Sequence, residues 1–292
     1  EHVSVQPTLL QDGRIVYQPT LFALRKDAVQ SSVTLKNSSG KAKIYRLDWT
    51  ESQPLDVDLG TLDYRLIQED GLTYVSLRSL VSGTYDNMLA RYAREGAKAR
   101  GSKAVIYDLR GNVGGSDSWP RKWIQSFLGT QNSIETSMLY AQKNSALFAA
   151  ENSESLLPED EGTCFAREVH GTWYENDIPI IVLVDDHCGS SGEGAVQLLK
   201  TLDNVLVVGS NTAGYQLCGN ISTFTLPYTG IGVRFGSTLF LYGDGENVDH
   251  RGYVPDVWCD PQDALASVLA LLKEQGVVSA DACETVREKI VK

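Results

Sequence analysis

The chain reads as an α/β protein: a core of parallel strands and helices, preceded by a β-rich lobe. Three observations predict this. Apolar runs such as "AVIYDL", "IIVLV" and "VLVV" lack the alternation of a one-sided strand, as strands buried on both faces should. Stretches with helical spacing separate them, which is the order a parallel sheet needs. Before about residue 60 the pattern differs, with short alternating segments broken by turn clusters.

In the first sixty residues, "RIVYQPTLFAL" and "KIYRLDW" read as strands, and "QDG", "NSSG" and "ESQP" as their turns. From Leu62 onward strands alternate with helices. "LTYVSL" (72–77) is an expected strand, and "YDNMLARYAREGAKA" an expected helix with Met88, Leu89, Tyr92 and Ala93 on one face. "KAVIYDL" (103–109) is a buried strand, "SWPRKWIQSFL" a helix entered through Pro120, and "NVLVVGS" (204–210) another strand. The acidic, turn-rich stretch 151–162 reads as a surface loop or lid. "STFTLPYTGIGVRFGSTLFLY" is expected to give antiparallel strands appended to the main sheet, turning at Gly230 and Gly236. The last strong helix has Asp260 as N-cap and Pro261 at its first position, with Leu265, Val268, Leu269 and Leu272 on one stripe. The expected division is a β-rich lobe over 1–60, a core over 61–275 and a tail over 276–292.

Composition narrows the function classes. The 292 residues are 42% hydrophobic, enough for a sizeable core without metals or disulfides. A net charge of −11 with no basic block would repel a phosphate backbone, so no nucleic-acid partner is expected. No run of about 18 uncharged apolar residues exists to span a membrane, and the chain does not open on a basic segment followed by an apolar one. Five cysteines (Cys164, Cys188, Cys218, Cys259, Cys283) without close pairing argue against a zinc site or a disulfide scaffold. One or two disulfides would still leave a thiol over. No cofactor is implied, and nothing indicates an oligomeric state.

The chemistry concentrates in "IIVLVDDHCGSSGEGAVQLLKTL" (180–202), where a buried strand turns sharply into a helix. Unpaired N–H groups and the positive end of the helix dipole favour negative charge beside a serine there. A simple helix cap at Ser190 or Ser191 is the competing explanation. "DLRGNVGGS" (108–116) also ends a buried strand, and its glycines offer unobstructed backbone N–H groups suited to an oxyanion or a phosphate. It contains no GKS or GKT and does not fit a dinucleotide fingerprint.

Taken with "NTAGYQLCGN" and "VDHRGYVPDVW" (248–258), these segments resemble, in order and spacing, the signature of the C-terminal processing (tail-specific) serine peptidase family, which includes tricorn-type proteases. The resemblance covers about residues 60–275. It implies a crotonase-like core, a peptide or protein substrate, and an exported or cell-envelope location. It also assigns roles. The nucleophile three residues before a glutamate matches Ser190, counted from Glu193, with Ser191 supplying an oxyanion N–H. Gly114 and Gly115 match the glycine pair that supplies the other, with no indication which of them points inward. One branch of the family carries a lysine base in "TFGK"; here the segment is Thr212, Ala213, Gly214, Tyr215. Tyrosine, with an ordinary pKa of about 10, is a poor base at neutral pH. The tricorn-like branch, with a histidine base, is the better template. Its "GHV" motif is similar to the opening "EHVSVQ", which implies His2 as base, with His250 the alternative. Asp249 matches the acid that orients the imidazole, where glutamate is more usual.

A peptidase-fold module that binds a peptide or apolar ligand without catalysis is the alternative function. A crotonase-type acyl-CoA enzyme ranks last, because no acyl-CoA signature is visible.

Overall fold

A computed structural model describes residues 2–9, 14–22, 32–36, 39–46, 63–83, 85–145, 161–242 and 248–291. The chain divides into two compact units, Glu1–Gly60 and Thr61–Lys292.

The first unit contains two antiparallel hairpins. Strand β1 (His2–Leu9) pairs with β2 (Ile15–Phe22), and β3 (Ser32–Lys36) with β4 (Ala42–Arg46). His2 opens β1 opposite Phe22. Its side chain lies outside the described residues, as does the lid expected within 151–160.

The second unit is built on a six-stranded sheet. In chain order its strands are β5 (Arg65–Glu69), β6 (Leu72–Ser76), β7 (Ala104–Asp108), β10 (Ile180–Val184), β11 (Val205–Gly209) and β14 (Val257–Trp258). Their spatial order is β14-β11-β10-β7-β6-β5, all parallel except the β5/β6 hairpin. Every residue of β6, β7 and β10 is buried, which explains the unbroken apolar runs.

Successive side chains of these strands point to opposite faces, so the sheet feeds two cores. On one face Val105, Tyr107, Ile180 and Val182 meet α1 (Asp86–Ala99), α2 (Ser118–Leu128) and α3 (Ser191–Leu199). On the other, Ala104, Ile106, Ile181 and Leu183 meet α4 (Pro261–Glu274) and α5 (Ala280–Val291). Helix α1 buries Leu89, Tyr92 and Ala93 as its spacing requires, whereas Met88 is exposed at the edge of the stripe. Trp123 of α2 stands edge-on to Tyr107 with ring centroids 4.9 Å apart and stacks on Phe127. The α1/α2 crossing is close at Gly96, where a Cβ would lie 2.2 Å from the Trp123 carbonyl oxygen. Asp260 caps α4 by accepting a hydrogen bond from the Gln262 N–H at 2.9 Å.

Two expectations need correction. The antiparallel strands β12 (Cys218–Thr225) and β13 (Gly232–Tyr242) do not extend the main sheet. They join β8 (Met138–Lys143) and β9 (Cys164–Val169) in a separate four-stranded sheet of order β12-β13-β8-β9. The chain turns at Gly230, but Gly236 sits inside β13 opposite Ile221, with pairing on both sides of it, Phe235 to Ser222 and Thr238 to Gly219. Within residues 276–292, expected as a tail, Ala280–Val291 instead forms α5, which buries Cys283 and Val286 against the sheet, with Val278 buried just ahead of it. All five cysteines are free thiols. No helix among the described residues is long and apolar enough to cross a membrane.

Candidate active site

The sheet order explains why distant motifs meet. Strands β7, β10 and β11 are parallel neighbours, so the segments leaving their C-terminal ends converge at one edge, where open α/β sheets characteristically bind ligands. The glycine loop follows β7, the double serine follows β10, and Thr212–Tyr215 follows β11.

Buried Asp108 secures the root of the glycine loop. Its carboxylate accepts from Arg110 (2.7 and 2.9 Å), from Arg78 (3.2 Å) and from the Tyr74 hydroxyl (2.8 Å). Burial alone would raise its pKa, but the Arg110 and Arg78 guanidiniums outweigh that and hold it below the usual carboxylate range. Arg110 also donates to the Pro261 carbonyl at 2.6 Å, tying the loop to the start of α4. Asn112 joins three segments: its Nδ2 donates to Leu77 O (2.7 Å), its backbone oxygen accepts from Gly189 N–H (2.9 Å), and its Oδ1 accepts from Gly114 N–H (2.9 Å).

Gly114 (φ 94°) and Gly115 (φ 144°) occupy backbone conformations that side chains rarely adopt. A Cβ on Gly114 would stand 2.7 Å from Ser190 Cβ and 2.9 Å from Ser191 N, so the loop backbone lies directly on the serine turn. The Ser191 hydroxyl donates to Gly115 O at 3.0 Å and fastens the two together.

Ser190 is exposed and has φ 53°, ψ −124°, a strained geometry for a non-glycine residue. Ser190 and Glu193 stand as the two ends of a capping box, but only one half closes at hydrogen-bond distance. The Ser190 N–H donates to Glu193 Oε2 at 3.0 Å, while the Ser190 hydroxyl makes no capping bond. Fully buried Glu193 does more than end the box. Its Oε1 accepts from Thr212 Oγ1 (2.6 Å) and Gly214 N–H (2.8 Å), and its Oε2 also accepts from Tyr215 N–H (2.9 Å). Burial pushes this carboxyl above its ordinary value and the four donors pull it back. Four donors face the two oxygens, and burial still leaves the pKa above its ordinary value.

Asp249 performs a similar task one step further along the chain. Its Oδ1 accepts from Leu217 N–H (2.8 Å) and Gln216 N–H (3.2 Å). His250 is exposed with φ 63°, and its N–H donates to Gly214 O at 3.0 Å. His187 Nδ1 lies 2.9 Å from Asp186 Oδ1, and that carboxylate raises the imidazole pKa. Asp185, Asp186 and His187 bring three potential ligand atoms within 4.8 Å of one another. Asp185 Oδ1, however, already accepts from the N–H groups of Gly111, Cys188 and His187, so the cluster is explained without an ion. Burial pushes the Cys188 thiol far up, which leaves it unreactive.

The second unit thus brings Ser190, Ser191, Gly114 and Gly115 together, and the turn carrying Asp249 and His250 is hydrogen-bonded to the 214–217 segment, whose start Glu193 holds. The sequence reading used Glu193 only as a ruler and passed over Asn112 and the Ser191 hydroxyl. An acid three residues after a serine at a helix head is a capping-box signal, and that signal pointed to Glu193.

A strained serine turn thus lies against a glycine loop at the carboxyl edge of the parallel sheet. The chain belongs to peptidase family S41, whose model matches residues 71–258. No curated protein matches it in sequence. Among solved structures it is similar to a putative peptidase from Parabacteroides merdae (24% identity, TM-score 0.46, covering 77% of this chain and 71% of that one). It is also similar to a lipoprotein from Streptococcus agalactiae (18% identity, TM-score 0.46, 73% and 69%). The photosystem II D1 C-terminal processing protease matches at 19% identity and TM-score 0.43, covering 65% of this chain and 43% of that one.

Proposed function

We propose that the protein is a serine peptidase that cleaves peptide or protein substrates through an acyl-enzyme on Ser190. The observation that carries this reading is the exposed Ser190, on a strained turn in contact with the Gly114 backbone. In the reaction, Ser190 Oγ attacks the scissile carbonyl while a histidine takes its proton and returns it to the leaving amine. Water then hydrolyses the ester. The tetrahedral oxyanion is held by the N–H groups of Ser191 and Gly115, which donate no hydrogen bond among the described residues. Gly114 N–H is given no such role, because it already donates to Asn112.

His2 is the proposed base and Asp249 the acid proposed to orient it. His250 is the rival base. An exported or envelope-associated setting goes with this reading.

Replacement of Ser190 by alanine lowers peptide hydrolysis by about 10⁴-fold, since nucleophile and base act as a unit. His2→Ala matches that loss and His250→Ala does not. Unchanged hydrolysis by the Ser190 variant would overturn the mechanism. A wild-type chain that binds peptides yet fails to react with a serine-directed fluorophosphonate would instead be a non-catalytic binding module.

A further inference from the structure

We infer that Tyr215 is a substrate-contact residue that selects an apolar side chain next to the scissile bond; this deepens, and rests on, the serine peptidase reading. Tyr215 occupies the position where the lysine-using branch of the family resembled by "NTAGY" has its base, and the mechanism above gives it no task. Two carboxylates hold its backbone. Glu193 receives the N–H groups of Gly214 and Tyr215, and Asp249 those of Gln216 and Leu217. Ala213 N–H donates to Cys188 O at 2.8 Å, which ties the same segment to the serine turn from the other side.

Tyr215 as a residue is 63% exposed. The ring edge lies against Gly189, the residue before Ser190: a Cβ on Gly189 would be 3.2 Å from Tyr215 Cδ2. A large aromatic face is therefore held open to solvent beside the nucleophile, on a backbone that cannot retreat. Binding an apolar side chain on it removes two apolar surfaces from water at little ordering cost, as rigid aromatic anchors do in binding sites. An acidic side chain placed there would lose hydration and meet the negative face of the ring.

The test compares wild type, Tyr215→Ala, Tyr215→Phe and Ser190→Ala on two matched series of fluorogenic peptides. One series carries Leu or Phe beside the cleaved bond, the other Ser or Asp. Loss of the aromatic platform should lower kcat/KM on the Leu/Phe series about tenfold, through KM, and leave the Ser/Asp series within about twofold. Tyr215→Phe should behave as wild type, because the contact uses the ring and not the hydroxyl. If Ser190→Ala is inactive while Tyr215→Ala loses equally on both series, or on neither, the inference alone falls. If Ser190→Ala hydrolyses as fast as wild type, the serine mechanism falls and takes this inference with it.

Discussion

Exchanging Glu193 for glutamine tests how the site is held together, because it changes one oxygen to an NH₂ and leaves size and burial alone. Each carboxylate oxygen accepts two hydrogen bonds, from Thr212 and Gly214 on one side and from Ser190 and Tyr215 on the other. Turned toward Thr212 and Gly214, the NH₂ faces the Gly214 N–H while the Thr212 hydroxyl can accept from it; turned the other way, it faces the N–H groups of both Ser190 and Tyr215. Leaving a buried donor unsatisfied costs about 1–3 kcal/mol, so the exchange should cost about 1–3 kcal/mol in the better orientation. A loss of about 2 kcal/mol in a unit of this size lowers Tm by about 4–8 °C. Thermal unfolding followed by circular dichroism reads this directly, and activity should fall with it because the Ser190 turn loses its brace. A Glu193→Gln variant within about 0.5 kcal/mol of wild type would refute the view that this carboxylate joins the helix head to the 212–215 loop.

Two further outcomes concern the core. Asp108→Asn strips the charge from a buried carboxylate paired with two arginines and should cost about 3–5 kcal/mol at pH 7. Because the folded pKa of Asp108 lies below its unfolded value of about 3.9, its contribution is complete above that pH and is lost as the pH falls through the folded value. The gap in urea midpoint between wild type and variant should therefore hold steady from about pH 8 to 5 and shrink below about 4; a gap independent of pH down to about 2 contradicts the pairing. Gly96→Ala should destabilise by about 1–3 kcal/mol, despite the better helix propensity of alanine, since its methyl would meet the Trp123 carbonyl. A stabilised variant would mean that the α1/α2 crossing is looser than described.

The main sheet was legible because its strands are buried on both faces and so write continuous apolar runs: "AVIYD" and "IIVLV" became β7 and β10 with little change. The helices followed from caps and stripes, as at Asp260 and Leu89. The four-stranded sheet was not legible in the same way. Strands β8 and β9 are mostly solvent-facing, and their partners lie far along the chain, so no local pattern announces the ladder. The ordered helix α5 was missed because its single buried stripe of Ala282, Cys283 and Val286 is narrow and interleaved with charge. At the site, spacing to Glu193 was what singled out Ser190 over Ser191. It could not show that Asn112 consumes the Gly114 N–H, since that depends on a side-chain rotamer.

The doubly anchored segment after β11 has a further consequence for how such enzymes diversify. The course of residues 214–217 is fixed by main-chain N–H and C=O groups and by the Gln216 side chain on Tyr242, so the side chain at position 215 is not needed to shape its own surroundings. The segment behaves as a socket that accepts different inserts. A lysine there would arrive at the same spot beside Gly189 with no remodelling, and an aromatic ring is displayed just as rigidly. A change of proton-transfer strategy would then require only a few substitutions, one in the socket and others in whichever part of the chain supplies or gives up the base, with the scaffold left untouched.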